Sequence, residues 1–127
     1  MNIPEHLKYS KSHEWVQFLT DTNVRIGITD FAQKQMGDIV FVNLPLVGDQ
    51  MVIGESFCDI ESVKAVADVY APLTGDIAQI NEQLDAAPET MNNAPYEAWI
   101  IEVNGITGTE ELMDAAAYKA FCESEGA

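Results

Sequence analysis

Six side chains among 127 are Lys or Arg, and one of them, Lys64, stands alone: the nearest others are Lys34 and Lys119. It lies in Glu61-Ser62-Val63-Lys64-Ala65, between two strand-like runs, Phe57 to Ile60 and Val66 to Tyr70. No Gly, Asn or Pro separates them, so the connection is a turn that ordinary residues tolerate, such as type I. Lys64 then projects from a hairpin tip. A lone amine on a rigid tip is a nucleophile that a modifying enzyme can find and acylate. The competing reading is a solubilising lysine at a turn.

Other chemistry has little support in the sequence. Cys58 and Cys122 are far apart and the histidines are His6 and His13, so no zinc-site spacing exists. The thiols read as reduced core or helix-face residues. No phosphate loop and no triad elements are visible. His13 has a side chain suited to acid–base work near neutral pH, but no nucleophile or second base accompanies it.

The elements that position Lys64 follow from residue patterning. His13 to Phe18 and Asn23 to Ile28 are rich in aromatic and β-branched residues and are separated by Thr20-Asp21-Thr22, which predicts a hairpin. Thr29 or Asp30 caps a short helix over Asp30 to Met36, and Gly37 stops it. Asp38 to Asn43 is a strand, and Met51 to Glu61 is a long extended run with Gly54 as a bulge or close-approach point. Strands continue over Ala65 to Tyr70, Asp76 to Asn81 and Glu97 to Val103. Asn81 to Tyr96, with two prolines, is a helical turn and loop. Leu112, Ala116, Tyr118 and Phe121 recur near helical spacing after Thr109 and Asp114, which predicts a C-terminal helix over about 109–124.

Many short strands before one helix favour a sandwich or barrel over any βαβ arrangement. Gly37 to Asn43, GDIVFVN, recurs as Gly75 to Asn81, GDIAQIN, with four of seven positions identical. Chance turn-plus-strand chemistry explains a match this short. Alternatively, two similar halves form a pseudo-twofold pair of antiparallel sheets, with Lys64 near the midpoint between the copies.

Length fits a single domain over 1–127. A net charge of −15 argues against nucleic acid or anionic membrane as partners and in favour of proteins with basic docking surfaces. The stretch Ile39 to Gly48 falls short of the roughly 20 apolar residues of a membrane helix. Met1 to His6 has no apolar or Arg-rich targeting pattern, so the expected location is the cytoplasm, or a matrix if a presequence was removed.

Glu61-Ser62-Val63-Lys64-Ala65, with Asp68-Val69-Tyr70-Ala71-Pro72 and Gly75, resembles the lipoylation motif of the glycine cleavage system H protein family. Ser12-His13-Glu14-Trp15-Val16, Gly27 to Ala32, Gly37 to Val42 and Pro95-Tyr96 resemble family segments in family order. The resemblance implies a mainly β, barrel-sandwich hybrid fold of the lipoyl/biotinyl-like kind, with short helices and a C-terminal helix. It implies a covalent lipoyl amide on Lys64, with Glu61 three residues before and Gly75 eleven after as lipoylation-recognition positions. Val63 and Ala65 differ from the methionines that typically flank a biotinyl lysine.

The implied function is a non-catalytic, monomeric shuttle. It takes an aminomethyl group from a pyridoxal-phosphate glycine decarboxylase to a tetrahydrofolate-dependent aminomethyltransferase, and then the dithiol to an FAD-containing dihydrolipoamide dehydrogenase; lipoate-attaching enzymes are further partners. A lipoyl-relay or regulatory homologue is the alternative. The same resemblance points to Ser12, Glu14 and Asp68 as lining a cleft for the loaded arm. Against it, Ser12 reads as a strand terminator, Glu14 as a solvated strand residue and Asp68 as an outward strand residue. His13 receives no catalytic duty, and Trp15, Phe41 and Trp99 are assigned to packing. Only Glu97-Ala98 separate Tyr96 from Trp99, where the family usually has glycines, so that loop is expected to differ in shape.

Overall fold

A computed structural model describes residues 1–126. Nine strands form two antiparallel sheets. Along the chain they are β1 (Lys8–Tyr9), β2 (Glu14–Thr20), β3 (Asn23–Ile28), β4 (Ile39–Asn43), β5 (Gln50–Met51), β6 (Ser56–Ser62), β7 (Val66–Tyr70), β8 (Leu73–Ile80) and β9 (Ile101–Thr109). Helices α1 (Asp30–Met36), α2 (Gln83–Ala86), α3 (Thr90–Asn93) and α4 (Ala115–Gly126) complete the described chain. The larger sheet runs β1-β2-β3-β9-β8-β5 and the smaller β4-β6-β7. The two copies of the Gly-Asp-Ile segment fall one in each sheet, on β4 and β8.

Alternation drives the sheets together. Val24, Ile26 and Ile28 of β3 point inward and meet Ile60 and Val69 of the smaller sheet and Ile101 and Val103 of β9 in one buried cluster. Each such side chain contributes roughly 1.5–3 kcal/mol when fully buried. A second cluster, Leu7, Tyr9, Trp15, Tyr118 and Cys122, lies under α4, with the rings of Tyr9 and Tyr118 stacked at 4.6 Å.

The predicted hairpin β2–β3 and the helix α1 form over the expected residues. Thr29 accepts from the Ala32 amide as N-cap, and Gly37 closes the helix at φ 79, ψ −158, a conformation open to glycine alone.

Four expectations need correction. Met51 to Glu61 is not one extended run, because the backbone turns at Val52–Glu55, with Gly54 at φ 82, and passes from β5 in the larger sheet to β6 in the smaller. The last strand begins at Ile101 rather than Glu97 and continues to Thr109, since β8 offers pairing along that length through two register shifts. The C-terminal helix consequently starts at Ala115, capped by Asp114, whose Oδ1 accepts from the Ala117 amide at 2.8 Å. Met113 is bridged to Tyr9 instead. Phe41 is not a packing residue: a bulge between Ile39 and Phe41 turns Val40 and Phe41 both outward while Ile39 and Val42 stay in the core.

Trp15 and Trp99 do pack. Trp15 is buried and donates its indole N–H to the Pro95 carbonyl at 3.0 Å, and Trp99 is half-buried beneath the Arg25 guanidinium. The short Glu97-Ala98 link closes as a turn, Ala98 N–H donating to the Ala94 carbonyl.

Candidate functional site

Lys64 is the middle residue of the three-residue connection between β6 and β7. Ser62 shapes that turn: its N–H donates to the Ala65 carbonyl at 2.8 Å, and its Oγ accepts from the amides of Lys64 and Ala65 at 3.3 and 3.1 Å. Neither Val63 nor Lys64 has positive φ, as the sequence predicts for a turn without glycine. Val63, Lys64, Ala65 and Val66 are all exposed, and among the described residues no carboxylate pairs with the Lys64 amine.

The hairpin is also fastened to the body. Val63 N–H donates to the Asp38 carbonyl at 3.0 Å, and the stem of Lys64 lies across Gly37, where a Cβ would sit 3.4 Å from Lys64 Cε. Asn92 of α3 holds this ledge. It accepts from the Ile39 amide and donates to both the Gly37 carbonyl and Gln33 Oε1, at 2.9 to 3.0 Å. Asn92 was invisible to sequence reasoning because nothing in Thr90-Met91-Asn92-Asn93 marks one asparagine over the other.

The two residues set at fixed offsets from Lys64 occupy different surroundings. Glu61 is half-buried at the end of β6, in register with Phe41 on one side and Val66 on the other. Gly75 is buried within β8, where a Cβ would meet Val103 Cγ1 at 2.6 Å and the Asn104 carbonyl at 2.9 Å.

Beside this hairpin is a cleft of about 190 Å³. Gln35 and Met36, just before the Gly37 ledge, form one wall; Ala67, Asp68 and Val69, just after the hairpin, form another. Ile28, Phe31 and Ile60 add apolar lining, and Ser12, His13 and Glu14 with Glu125 of α4 complete it. Ser12, Glu14 and Asp68, separated by up to 56 positions in the chain, thus share one cavity. A larger open groove of about 740 Å³, lined by Lys11, Glu110 and Met113, shares only Ser12 with it and includes no residue of α1, β6 or β7.

Glu14 is not a solvated strand residue. It is 2% exposed, and its Oε1 accepts from the hydroxyls of Ser10 and Ser12, both at 2.6 Å. The backbone N–H of Tyr70, on β7 at the edge of the smaller sheet, also faces the carboxylate. Burial pushes the carboxyl above the usual glutamate range, against the lowering effect of these three donors. No cation pairs with it among the described residues. Ser12 lies in the turn ahead of β2 rather than ending a strand. Asp68 does point outward and is exposed, with Oδ1 accepting from Ser56 at 3.2 Å. His13 was set aside in the sequence, yet its ring forms part of the cleft wall.

The site therefore joins an exposed amine to a neighbouring cleft of mixed lining that includes a buried carboxylate without a counter-ion among the described residues. Comparison with known proteins identifies the family. The family model for the glycine cleavage H-protein matches residues 7–125. A glycine cleavage system H protein of Lachnoclostridium phytofermentans is 50% identical over 125 residues, covering 98% of each chain. A probable glycine cleavage system H protein of Pyrococcus furiosus is 48% identical, covering 96% of this chain and 93% of that one. The crystal structure of a glycine cleavage system H protein from Mycobacterium marinum superposes with a TM-score of 0.88 at 36% identity, over 98% of this chain and all of the other. By family match, identity and fold together, the chain belongs to the glycine cleavage H-protein family.

Proposed function

We propose that the chain is a non-catalytic, lipoyl-carrying shuttle of glycine cleavage, with the lipoyl group in amide linkage on Lys64. The observation that supports this most directly is that the exposed Lys64 stands on a fastened hairpin whose flanking residues, Met36 before the Gly37 ledge and Ala67 after the turn, line the cleft shared by Ser12, Glu14 and Asp68. The residues fit such a group: the amine is exposed, and the cleft beside its hairpin combines apolar lining from Ile28, Phe31, Met36, Ile60 and Val69 with the carboxylates of Glu14 and Asp68. Bound there, lipoate would supply a cyclic disulfide able to accept a carbon group and two electrons together, with an outside oxidant needed to restore it.

The chain's own residues position and shelter. Ser62 and Asp38 hold the hairpin so that Lys64 projects from a fixed base, and Glu61, partly exposed three residues away, is available to an attaching enzyme. Inside the cleft, four methylenes at about 0.8 kcal/mol each contribute roughly 3 kcal/mol as an upper figure. An exposed ion pair would add only about 0–1 kcal/mol. Glu14 is buried, however, so a cation set against it relieves a desolvated charge and discriminates a cationic cargo from a neutral arm.

The partners in this reading are the pyridoxal-phosphate decarboxylase that supplies the group, the tetrahydrofolate-dependent transferase that removes it, the flavin dehydrogenase that reoxidises the dithiol, and a lipoate-attaching enzyme. Intact mass measurement after incubation with such an attaching enzyme tests the reading. A lipoyl-sized increment on the wild type that is absent in Lys64→Arg is expected; an unmodified wild type would overturn it. Reconstituted glycine decarboxylation with the modified protein then separates a shuttle from a relay homologue.

A further inference from the structure

Between Ser12 and Glu14 stands His13, the only non-glycine residue with a positive φ, 72°, among the described residues. A side-chain-bearing residue rarely adopts this backbone, and such a conformation persists only where its surroundings over-determine it. Here they do. His13 N–H donates to the Ser10 carbonyl and its own carbonyl accepts from the Thr29 amide, both at 3.1 Å. Its ring stacks on Phe31 at 4.6 Å. Nδ1 lies 2.7 Å from Tyr118 Oη and Nε2 lies 2.8 Å from Glu125 Oε1. Tyr118 Oη is in turn 2.7 Å from Thr29 Oγ1, the N-cap of the helix whose far end forms the Lys64 ledge.

The turn has a consequence for the cleft. Residues two apart in extended backbone lie about 7 Å from one another. The left-handed residue between Ser12 and Glu14 folds them together, so that Ser12 Oγ donates to Glu14 Oε1 at 2.6 Å. We infer that His13 is a positioning residue for the cleft carboxylate and that the last turn of α4, through Glu125, is the latch that holds it. Glu125 lines the same cleft and its side chain is 47% exposed, so it is reachable by a docking protein. A partner that offers a cation to Glu125 withdraws it from His13, loosens the turn and lets the arm leave. Release is thus controlled at the C-terminal helix, remote in sequence from the lysine. The inference rests on the reading that this cleft receives the loaded arm.

The test uses the full chain, unmodified and lipoylated, as wild type and as His13→Ala, His13→Asn, Glu125→Gln and Glu14→Gln. In the unmodified protein, hydrogen exchange at the Glu14 and Thr29 amides should quicken at least tenfold in His13→Ala and about threefold in Glu125→Gln. His13→Asn, which tolerates positive φ, should stay within threefold of wild type. In the lipoylated protein loaded from glycine by the decarboxylase, the lifetime of the carried group against water is followed. In that loss, water takes the methylene as formaldehyde and leaves the thiol and ammonium.

A lifetime three- to tenfold shorter in both His13→Ala and Glu125→Gln is expected. Unchanged exchange in both variants overturns the inference, and so does faster exchange with an unchanged lifetime, which would make the turn structural only. In either case a shortened lifetime in Glu14→Gln leaves the cleft reading standing. If Glu14→Gln also keeps the wild-type lifetime, the cleft reading falls and the latch with it. Glu125→Gln changes an exposed group, so it carries the test if His13→Ala does not fold.

Discussion

The Lys64 hairpin and the Ser10–Glu14 rim both serve the same cleft, but they are held in opposite ways. The hairpin is made by neighbours in sequence: Ser62 accepts the amides that follow it, and the connection has only two central residues. The rim is made by strangers, with His13 gripped by Phe31, Tyr118 and Glu125, the last two more than 100 positions away. A local turn can be exposed and still be fixed, which suits the proposed role of Lys64 as an attachment point. A buried carboxylate with no counter-ion is costly to hold; Ser10 and Ser12 bond it locally, while distant groups fix the His13 turn that brings Ser12 to it.

This contrast can be broken experimentally. The largest expected effect is on chemistry alone: Lys64→Arg abolishes lipoyl attachment in a mass assay while leaving stability within about 0.5 kcal/mol, because the side chain is exposed. Next, Gly75→Ala destabilises by about 3 kcal/mol, since a Cβ there collides with Val103 and with backbone. Glu61→Gln, on the partly exposed end of β6, slows attachment at unchanged melting temperature. Denaturant melts combined with attachment kinetics separate these two, and a stable Gly75→Ala protein would show that its buried setting is not what demands glycine.

Asn92→Ala removes three hydrogen bonds from the ledge beneath the lysine and costs about 2 kcal/mol. It should also slow attachment several-fold, and an unaltered rate would show the hairpin to be set by Ser62 alone.

The smallest effect concerns the rim and is a matter of sign. Burial raises the Glu14 carboxyl above its value in the unfolded chain. Its contribution to stability is therefore fully present below the unfolded glutamate value and is lost as pH rises through the folded one. Glu14→Gln should accordingly gain melting temperature relative to wild type as pH is raised from 4 to 8. A constant difference across that range would place Glu14 in a wetter setting.

The same contrast explains what could be read from the sequence. Thr29, Asp30 and Gly37 announce α1 because caps and stops act within a turn of the residues they serve. Lys64 was conspicuous by its isolation among acidic and neutral residues, and its motif supplied the remainder. The sequence pattern did not reveal that Met51 to Glu61 changes sheets, because an extended residue looks the same in either. Nor did it show that Asn104 to Thr109, with weak strand formers Gly105 and Gly108, is drawn into pairing by β8. The left-handed His13 left no local trace at all, since the groups that enforce it lie on α1 and α4. Glu14 was read as a solvated strand residue for the same reason: its burial depends on Ser10, Ser12 and the edge of β7 together.

The two cysteines lie in separate clusters, Cys58 in the main core and Cys122 beneath α4. Burial pushes the Cys58 thiol up to about 12 and raises that of Cys122 as well. At neutral pH Cys58 is held as the thiol, and the thiolate is the form that attacks disulfides. In the proposed shuttle, whose cargo-bearing group cycles between disulfide and dithiol, buried protonated thiols of this kind compete poorly for the dithiolane, which leaves its electrons to an outside acceptor.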